Sequence, residues 1–487
     1  MDISDRKDFQ GINLIKANFE GAKLKGANFI NANLKGAKFI GANLKGAKLQ
    51  GTDLEKANFQ EANLKESNFY GADLTEVNFE RANLMGTKLQ KANLYKANLQ
   101  GANLVVANLY GANLEKAELQ GATLQGTNLH DANLREANLQ GANLIETNLQ
   151  GANLQGAKLQ GTNLEKANFQ GANLKESNFY GADLKEVNFE KVSLMETKLQ
   201  MTNLYGANLQ GAKLEGANLY GADLEKANLQ EANLQGADLI ETNLENAIFT
   251  GANLQEASLK GADLGKAKFE GANLQKTDLQ RAYLYKANLQ GANLQGANLQ
   301  ETNLRGVNLQ GANLNMANLE GANLREANLQ GASLKETKFE GAKLKEANLR
   351  ETNLERANLE GTNFKKAYLE GANLKKANLL KANLKWAKLK GSNLQEANLI
   401  KANLEGANLE WANLQGANLE GAKLEGANLE GAKLEGAKLK EAKLKGAINL
   451  SIDQFSKVKT LYHIKLDNEI LKTLKKKYPP LFEKPSQ

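Results

Sequence analysis

His130 stands beside Asp131, a pair that in an enzyme would act as a general base and its orienting carboxylate. The second histidine is His463, and the 487 residues contain no cysteine. Without cysteine there is no disulfide framework, no thiolate metal site and no cysteine nucleophile. Two distant histidines give a poor basis for a metal centre or a triad. The His130–Asp131 pair falls on an outward position with no nucleophile near it in sequence, so it reads as surface, and His463 reads as solvated or packed near the C-terminus. Lys475, Lys476 and Lys477 form a basic run that would suit nucleic acid or an anionic membrane. The same run at the end of a helix complements the negative pole of its dipole, which is the preferred reading. Trp386 and Trp411, the only tryptophans, fall on outward positions where folding has no use for an indole. They are the candidate partner contacts. No phosphate-binding glycine loop and no GGxGxD calcium signature occurs. The expectation is a protein without cofactor or metal, and not an enzyme.

What must position these residues is a repeat. From Phe9 to Leu444 every fifth residue is Leu or Phe, giving 88 units, 74 centred on Leu and 14 on Phe. Two residues before each centre stands Ala, Thr, Ser or Val, except at Lys7 and Ile12. The residue before the centre is usually Asn, and the two after it are polar, often ending in Gly. A helix would scatter residues spaced by five around its surface. A strand would place successive centres on opposite faces. The spacing works if the chain turns a corner every five residues, with the centre and the small residue pointing inward. The Asn column is expected to serve corner conformations and local backbone bonds.

The phenylalanines bear on the number of sides. Phe9, Phe19, Phe29 and Phe39 alternate with leucines, and of the 14 Phe centres only Phe364 leaves this ten-residue register. Phe stacks on Phe only if a coil holds an even number of units, which favours four sides over three. Residues 51–125 also align with 161–235 at an offset of 110, with 58 of 75 identical. That offset is five and a half four-sided coils, so the two copies should face opposite ways. Tyr70, Tyr95 and Tyr110 recur through it as Tyr180, Tyr205 and Tyr220.

Units such as Ala17-Asn18-Phe19-Glu20-Gly21 resemble the A(N/D)LXX motif of the pentapeptide-repeat family, over about 90% of the chain. DRKDFQGINL is similar to a usual first coil, and LSIDQFSKVKTLYHIKLD…LKKKYPPLF to a tail found after bacterial repeats. The resemblance implies an all-β solenoid, a right-handed four-sided β-helix. With four sides, 88 units make about 22 coils, a rod of about 105 Å at ~4.8 Å per coil. The expected organisation is a lead-in at 1–6, the β-helix at 7–446, and a helical cap and tail at 447–487. In the tail, Ser451 to Gln454 reads as a capping box opening a helix with Ile452, Phe455, Val458 and Tyr462 as its stripe. A second helix is expected from about Asp467, with Ile470, Leu471, Leu474 and Tyr478, stopped by Pro479-Pro480. The short lead-in suggests end-to-end self-association through the N-terminal coil.

Charge separates the functional classes. The best understood relatives are quinolone-resistance proteins, acidic rods that imitate DNA and bind gyrase. Here the net charge is +7, and the four walls, summed over their length, carry 0, 0, −2 and +6. No wall is acidic enough for DNA mimicry. Spread over the whole rod, the +6 wall is too dilute to suggest nucleic-acid binding. No stretch approaches ~20 apolar residues, and MDISDRKDFQG lacks the apolar core of a signal peptide, so a soluble cytoplasmic protein is expected. The function expected is a structural or protein-interaction scaffold, with a topoisomerase-binding DNA mimic as the alternative.

Overall fold

A computed structural model describes residues 7–484, so the lead-in Met1–Arg6 and the end of the tail, Pro485–Gln487, lie outside the described residues. The chain forms two compact units, Met1–Asn243 and Leu244–Gln487. In the first, parallel bridges join residues twenty apart, from Asp8 with Asn28 to Asp223 with Asn243. In the second the same step runs from Ile248 with Lys268 to Asn428 with Ile448. A coil is therefore four sides of five residues. Each unit is a right-handed quadrilateral β-helix, the architecture the resemblance implies.

In a pentad with Asn or Asp before its centre, every backbone donor finds an acceptor, the accounting a folded backbone tends to satisfy. Around Leu14, the centre donates to Asn33 O at 2.7 Å and the corner residue Lys16 to Lys35 O at 2.8 Å. Ala17 closes the turn onto Leu14 O at 3.0 Å, and Asn33 donates back to Ile12 O at 3.0 Å. The one remaining donor, just after the centre, goes to the Asn side chain: Tyr70 N–H donates to Asn68 Oδ1 at 3.0 Å. Asn thus occupies the bridging position on the wall rather than the corner. Its free amide continues along the axis, as in Asn113 Nδ2 to Asn93 Oδ1 at 2.9 Å and Asn133 Nδ2 to Asn113 Oδ1 at 3.1 Å.

The third turn residue lies at positive φ, the type II pattern that favours Gly. Every glycine but Gly265 occupies such a position, and Lys, Glu and other side chains fill the rest. A non-glycine residue there costs roughly 1–2 kcal/mol, so the repeat tolerates the strain at corners where a charged or aromatic side chain is displayed.

The centres and the small residues are buried throughout both units, apart from the outermost turns. Phe rings stack one coil apart, as in Phe39–Phe59 at 4.6 Å and 1° and Phe249–Phe269 at 4.6 Å and 2°. Across the interior they meet edge to face, as in Phe9–Phe19 at 5.8 Å and 76°. The duplication reproduces this packing: Phe59–Phe69 and Phe169–Phe179 are both edge to face, at 6.1 and 6.0 Å. Among the described residues the only buried polar side chains are Thr and Ser. Their hydroxyls donate to carbonyls of the core, as Thr52 does to Leu49 O at 2.7 Å.

The tail differs from its expected shape. The capping box forms, but it opens a single 3-10 turn, Ile452–Phe455, instead of a longer helix. Beyond it Thr460 and Lys465 bridge to Lys438 and Lys443 at a step of 22 residues. The coil edge offers unpaired backbone groups, and the chain satisfies them in preference to its own helical bonds: Leu439 donates to Thr460 O at 3.1 Å and Leu444 to Lys465 O at 2.7 Å. Phe455, Val458 and Leu461 are buried, whereas Ile452 and Tyr462 are only partly covered. The second helix, α1, spans Asn468–Lys477 with Asp467 at its N-cap position, and Leu474 is its buried residue.

Leu234 has no exposed surface, whereas Gln235 beside it is exposed. Placing an unpaired ammonium in the core costs several kcal/mol. Leu234→Lys is expected to lower the melting temperature by more than about 10 °C, or to prevent folding, while Gln235→Lys melts within about 2 °C of the parent. Equal melting of the two variants would show that Leu234 does not face inward.

Candidate interaction surface

The corners, the residues before them and the bridging positions carry the whole polar surface, so function is sought there. Trp386 and Trp411 are 44% and 59% exposed, each at a corner with φ near 58°. Each indole lies over the glycine one coil further on. A methyl group on Gly406 would meet Trp386 Cδ1 at 2.5 Å, and Gly431 is covered by Trp411 in the same way. The two surroundings differ. Lys365 and Lys385 place ammoniums 5.0 and 4.5 Å from the Trp386 ring, a favourable arrangement with its π face. Trp411 Nε1 donates to Glu410 at 3.1 Å. The hydrogen bond from Lys390 holds the Glu410 carboxyl below its ordinary range, and Glu410 raises Lys390 in return.

The other candidates are engaged in structure. His130 Nδ1 lies 2.8 Å from Gln150 O and 3.3 Å from Asp131, and its ring meets Tyr110 edge to face at 5.4 Å. Donation to the carbonyl fixes the proton on Nδ1. His463 stacks on Tyr462 at 3.9 Å. It borders an open cleft of about 490 Å³ with Lys401, Glu441, Lys443 and Lys465. Of the basic run, Lys477 reaches Asp453 at 2.9 Å, and that bond raises its pKa. The run closes helix α1, where its charge complements the helix pole. Tyr70 and Tyr180 are exposed, as are Tyr110 and Tyr220, so the duplication displays matching rings on opposite walls of the first unit.

The charge of the +6 wall is not spread evenly along it. In the second unit the positions after the centre at 285, 305, 325, 345, 365 and 385 stack at the twenty-residue step and read Tyr, Arg, Arg, Lys, Lys, Lys. The same six pentads hold eight basic and two acidic residues, a net +6, which equals the excess of that entire wall. Arg305 pairs with Glu326 at 2.9 Å, Lys345 with Glu346 at 3.5 Å and Lys385 with Glu405 at 2.8 Å. Among the described residues Arg325 and Lys365 have no carboxylate in ion-pair reach. Counting charge coil by coil in the sequence would have found this column.

Among the described residues no cluster of His, Asp or Glu could hold a metal ion, and no helix is long and apolar enough to cross a membrane. Residues 12–89 match a family model described as a pentapeptide repeat region. Twelve segments between 92 and 448 match one described as pentapeptide repeats. No curated protein matches the chain. Among solved structures it is similar to HetL, a pentapeptide repeat protein involved in heterocyst differentiation regulation from the cyanobacterium Nostoc sp. strain PCC 7120. That pair shows 34% identity over 52% of this chain and 89% of HetL, with a TM-score of 0.20. It is also similar to full-length QnrB1, a plasmid-mediated fluoroquinolone resistance protein, at 18% identity over 45% of this chain and 98% of that one, TM-score 0.20.

Gly406→Ala is expected to push the Trp386 indole off its seat and to destabilise by more than the ~1–2 kcal/mol that positive φ alone costs. Gly391→Ala, with open space around it, shows only that cost. In the double variant Trp386→Ala/Gly406→Ala the excess disappears, a coupling that chemical denaturation measures. Strict additivity of the two single changes would mean the indole does not rest on Gly406.

Proposed function

The chain belongs to the pentapeptide-repeat family, and from that premise we propose that it is a non-enzymatic scaffold that holds a protein partner on a rigid β-helical surface. In this reading the repeats of 7–446 make up about 22 coils, and the tail from 447 covers the last of them. Supporting it most is the division of labour in every pentad: the inward residues are aliphatic, aromatic or hydroxylic, and the outward ones are free to vary without disturbing the core. The exposed indoles of Trp386 and Trp411, seated on glycines, are the proposed contact residues. Recovery of one defined protein by the parent chain, and its loss with Trp386→Ala/Trp411→Ala, is the test. Recovery unchanged by the double substitution would remove the tryptophans from the reading.

The competing reading, suggested by the similarity to a fluoroquinolone resistance protein, is a DNA mimic that binds gyrase. Such a role needs a dense row of carboxylates, and the most acidic wall sums to only −2. We expect no protection of DNA supercoiling from quinolones at micromolar protein. Clear protection would favour the mimic.

The covering role of the tail rests on its hydrogen bonds to the coil edge, including Gln454 Nε2 to Leu429 O and Ala432 O at 2.8 and 2.9 Å. Ending the chain at Gly446 exposes that edge, a template for strand pairing. Light scattering is expected to show concentration-dependent association with the β-rich far-ultraviolet spectrum retained. Phe455→Asp should reproduce much of this and Lys476→Gln none. A truncated protein that stays monomeric would exclude the covering role.

A further inference from the structure

In the column Arg305, Arg325, Lys345, Lys365 and Lys385 three cations meet a carboxylate and Arg325 and Lys365 meet none, yet no carboxylate stands within the column itself. Elsewhere the surface pairs a cation with a carboxylate one coil away: Lys56 with Glu76 at 3.7 Å, Lys116 with Glu136 at 3.7 Å, Arg281 with Glu301 at 2.8 Å and Lys376 with Glu396 at 3.5 Å. Here five cations follow one another at the coil spacing of ~4.8 Å, an order in which neighbours repel. The column is also bounded. At one end the next two positions are Glu405 and Glu425, and at the other the ladder gives way to Tyr285 and then Gly265. Aromatic rings mark both ends: Tyr283 and Tyr285 lie 6.1 Å apart at 30°, and Trp386 is 44% exposed beside Lys365 and Lys385.

We propose that this wall of the second unit binds single-stranded nucleic acid, with the phosphates along the cation column and bases stacked on Tyr283, on Tyr285 and on Trp386 once the Lys365 and Lys385 ammoniums leave its ring for phosphate. A basic track combined with stacking rings is how proteins hold single strands without reading sequence. The distance from Tyr285 to Lys385 is about 24 Å at ~4.8 Å per coil. That suits roughly four nucleotides, the low end of such sites. Arginine and lysine share the work: the two guanidiniums present forked donors to phosphate and the lysines compact charges. An acidic polypeptide would gain from the cations but leave the rings at both ends unused. A flat anionic membrane would press on the flanking Glu326, Glu346 and Glu370 as well as on the column. This site goes beyond the scaffold reading and does not depend on it.

The test titrates the full chain into fluorescein-labelled dT12 in 50 mM salt, following anisotropy and tryptophan emission together. Saturable binding is expected, with log K falling against log salt at a slope of about −2 to −3.5, as three to five phosphate contacts require. Lys345→Glu/Lys365→Glu should weaken binding at least tenfold. Lys56→Glu/Lys116→Glu, the same charge change on the first unit, should alter it less than twofold. Trp386→Ala, which removes no backbone bond, should cost about fivefold or more and remains decisive if the glutamate pair impairs folding. The proposal is overturned by an absence of binding in 50 mM salt or by equal losses in the two charge variants. It is overturned equally if polyglutamate or phosphatidylserine vesicles of matched charge displace dT12 as well as unlabelled dT12 does.

Discussion

Within each unit the repeat sets a residue against the one twenty further along, and almost everything else follows from that. The bridges repeat at this step within both units. It turns five-residue units into columns: Leu and Phe inside, Ala, Ser and Thr beside them, Asn on the walls, charged and polar groups at the corners. Because no coil has a core of its own, the packing of a centre depends on the centres above and below it. The Phe stacks near 4.6–4.8 Å are one expression of that dependence and the Asn amide ladders are another.

The same step explains how the surface can be written independently of the core. A pentad with Asn before its centre satisfies its backbone through four main-chain bonds and that one side chain, so the residues after the centre carry no structural duty beyond tolerating a turn. Trp at a positive-φ corner is costly in an ordinary loop, yet here it is accommodated because the glycine one coil on leaves room for the ring. The duplication makes a related point. A half-turn offset moved a whole set of surface residues to the opposite walls of the first unit while the phenylalanine packing was kept.

How much of this was legible in the sequence depended on whether position alone decides the outcome. The inward set, the corner spacing and the even number of sides could be read from Leu, Phe and small residues at fixed intervals. The hand of the coil came only with the family resemblance, since periodicity is blind to chirality. Asn was assigned to corners because its propensity points there, whereas the backbone donor left over after the centre draws its side chain to the wall. In the tail, Ile452, Phe455 and Val458 have a spacing that fits a helix, but the coil edge claims Thr460 and Lys465 by hydrogen bonding. The cation column was missed because a wall total discards the order of charges along it.

The central claim is that residues twenty apart are neighbours in successive coils. The chain lacks cysteine, so engineered pairs report on it without interference. Gln140 and Gln160 occupy equivalent positions one coil apart, and Gly141 N–H donates to Gln160 O at 3.0 Å. Their α-carbons fall at the coil spacing of ~4.8 Å, within the range a disulfide can bridge. Gln140→Cys/Gln160→Cys is predicted to oxidise to an intramolecular disulfide, read as the loss of both free thiols in a monomer, while Gln140→Cys/Gln155→Cys stays reduced under the same conditions. Preferential cross-linking of the 140/155 pair would mean a three-sided coil of fifteen residues and would contradict the account.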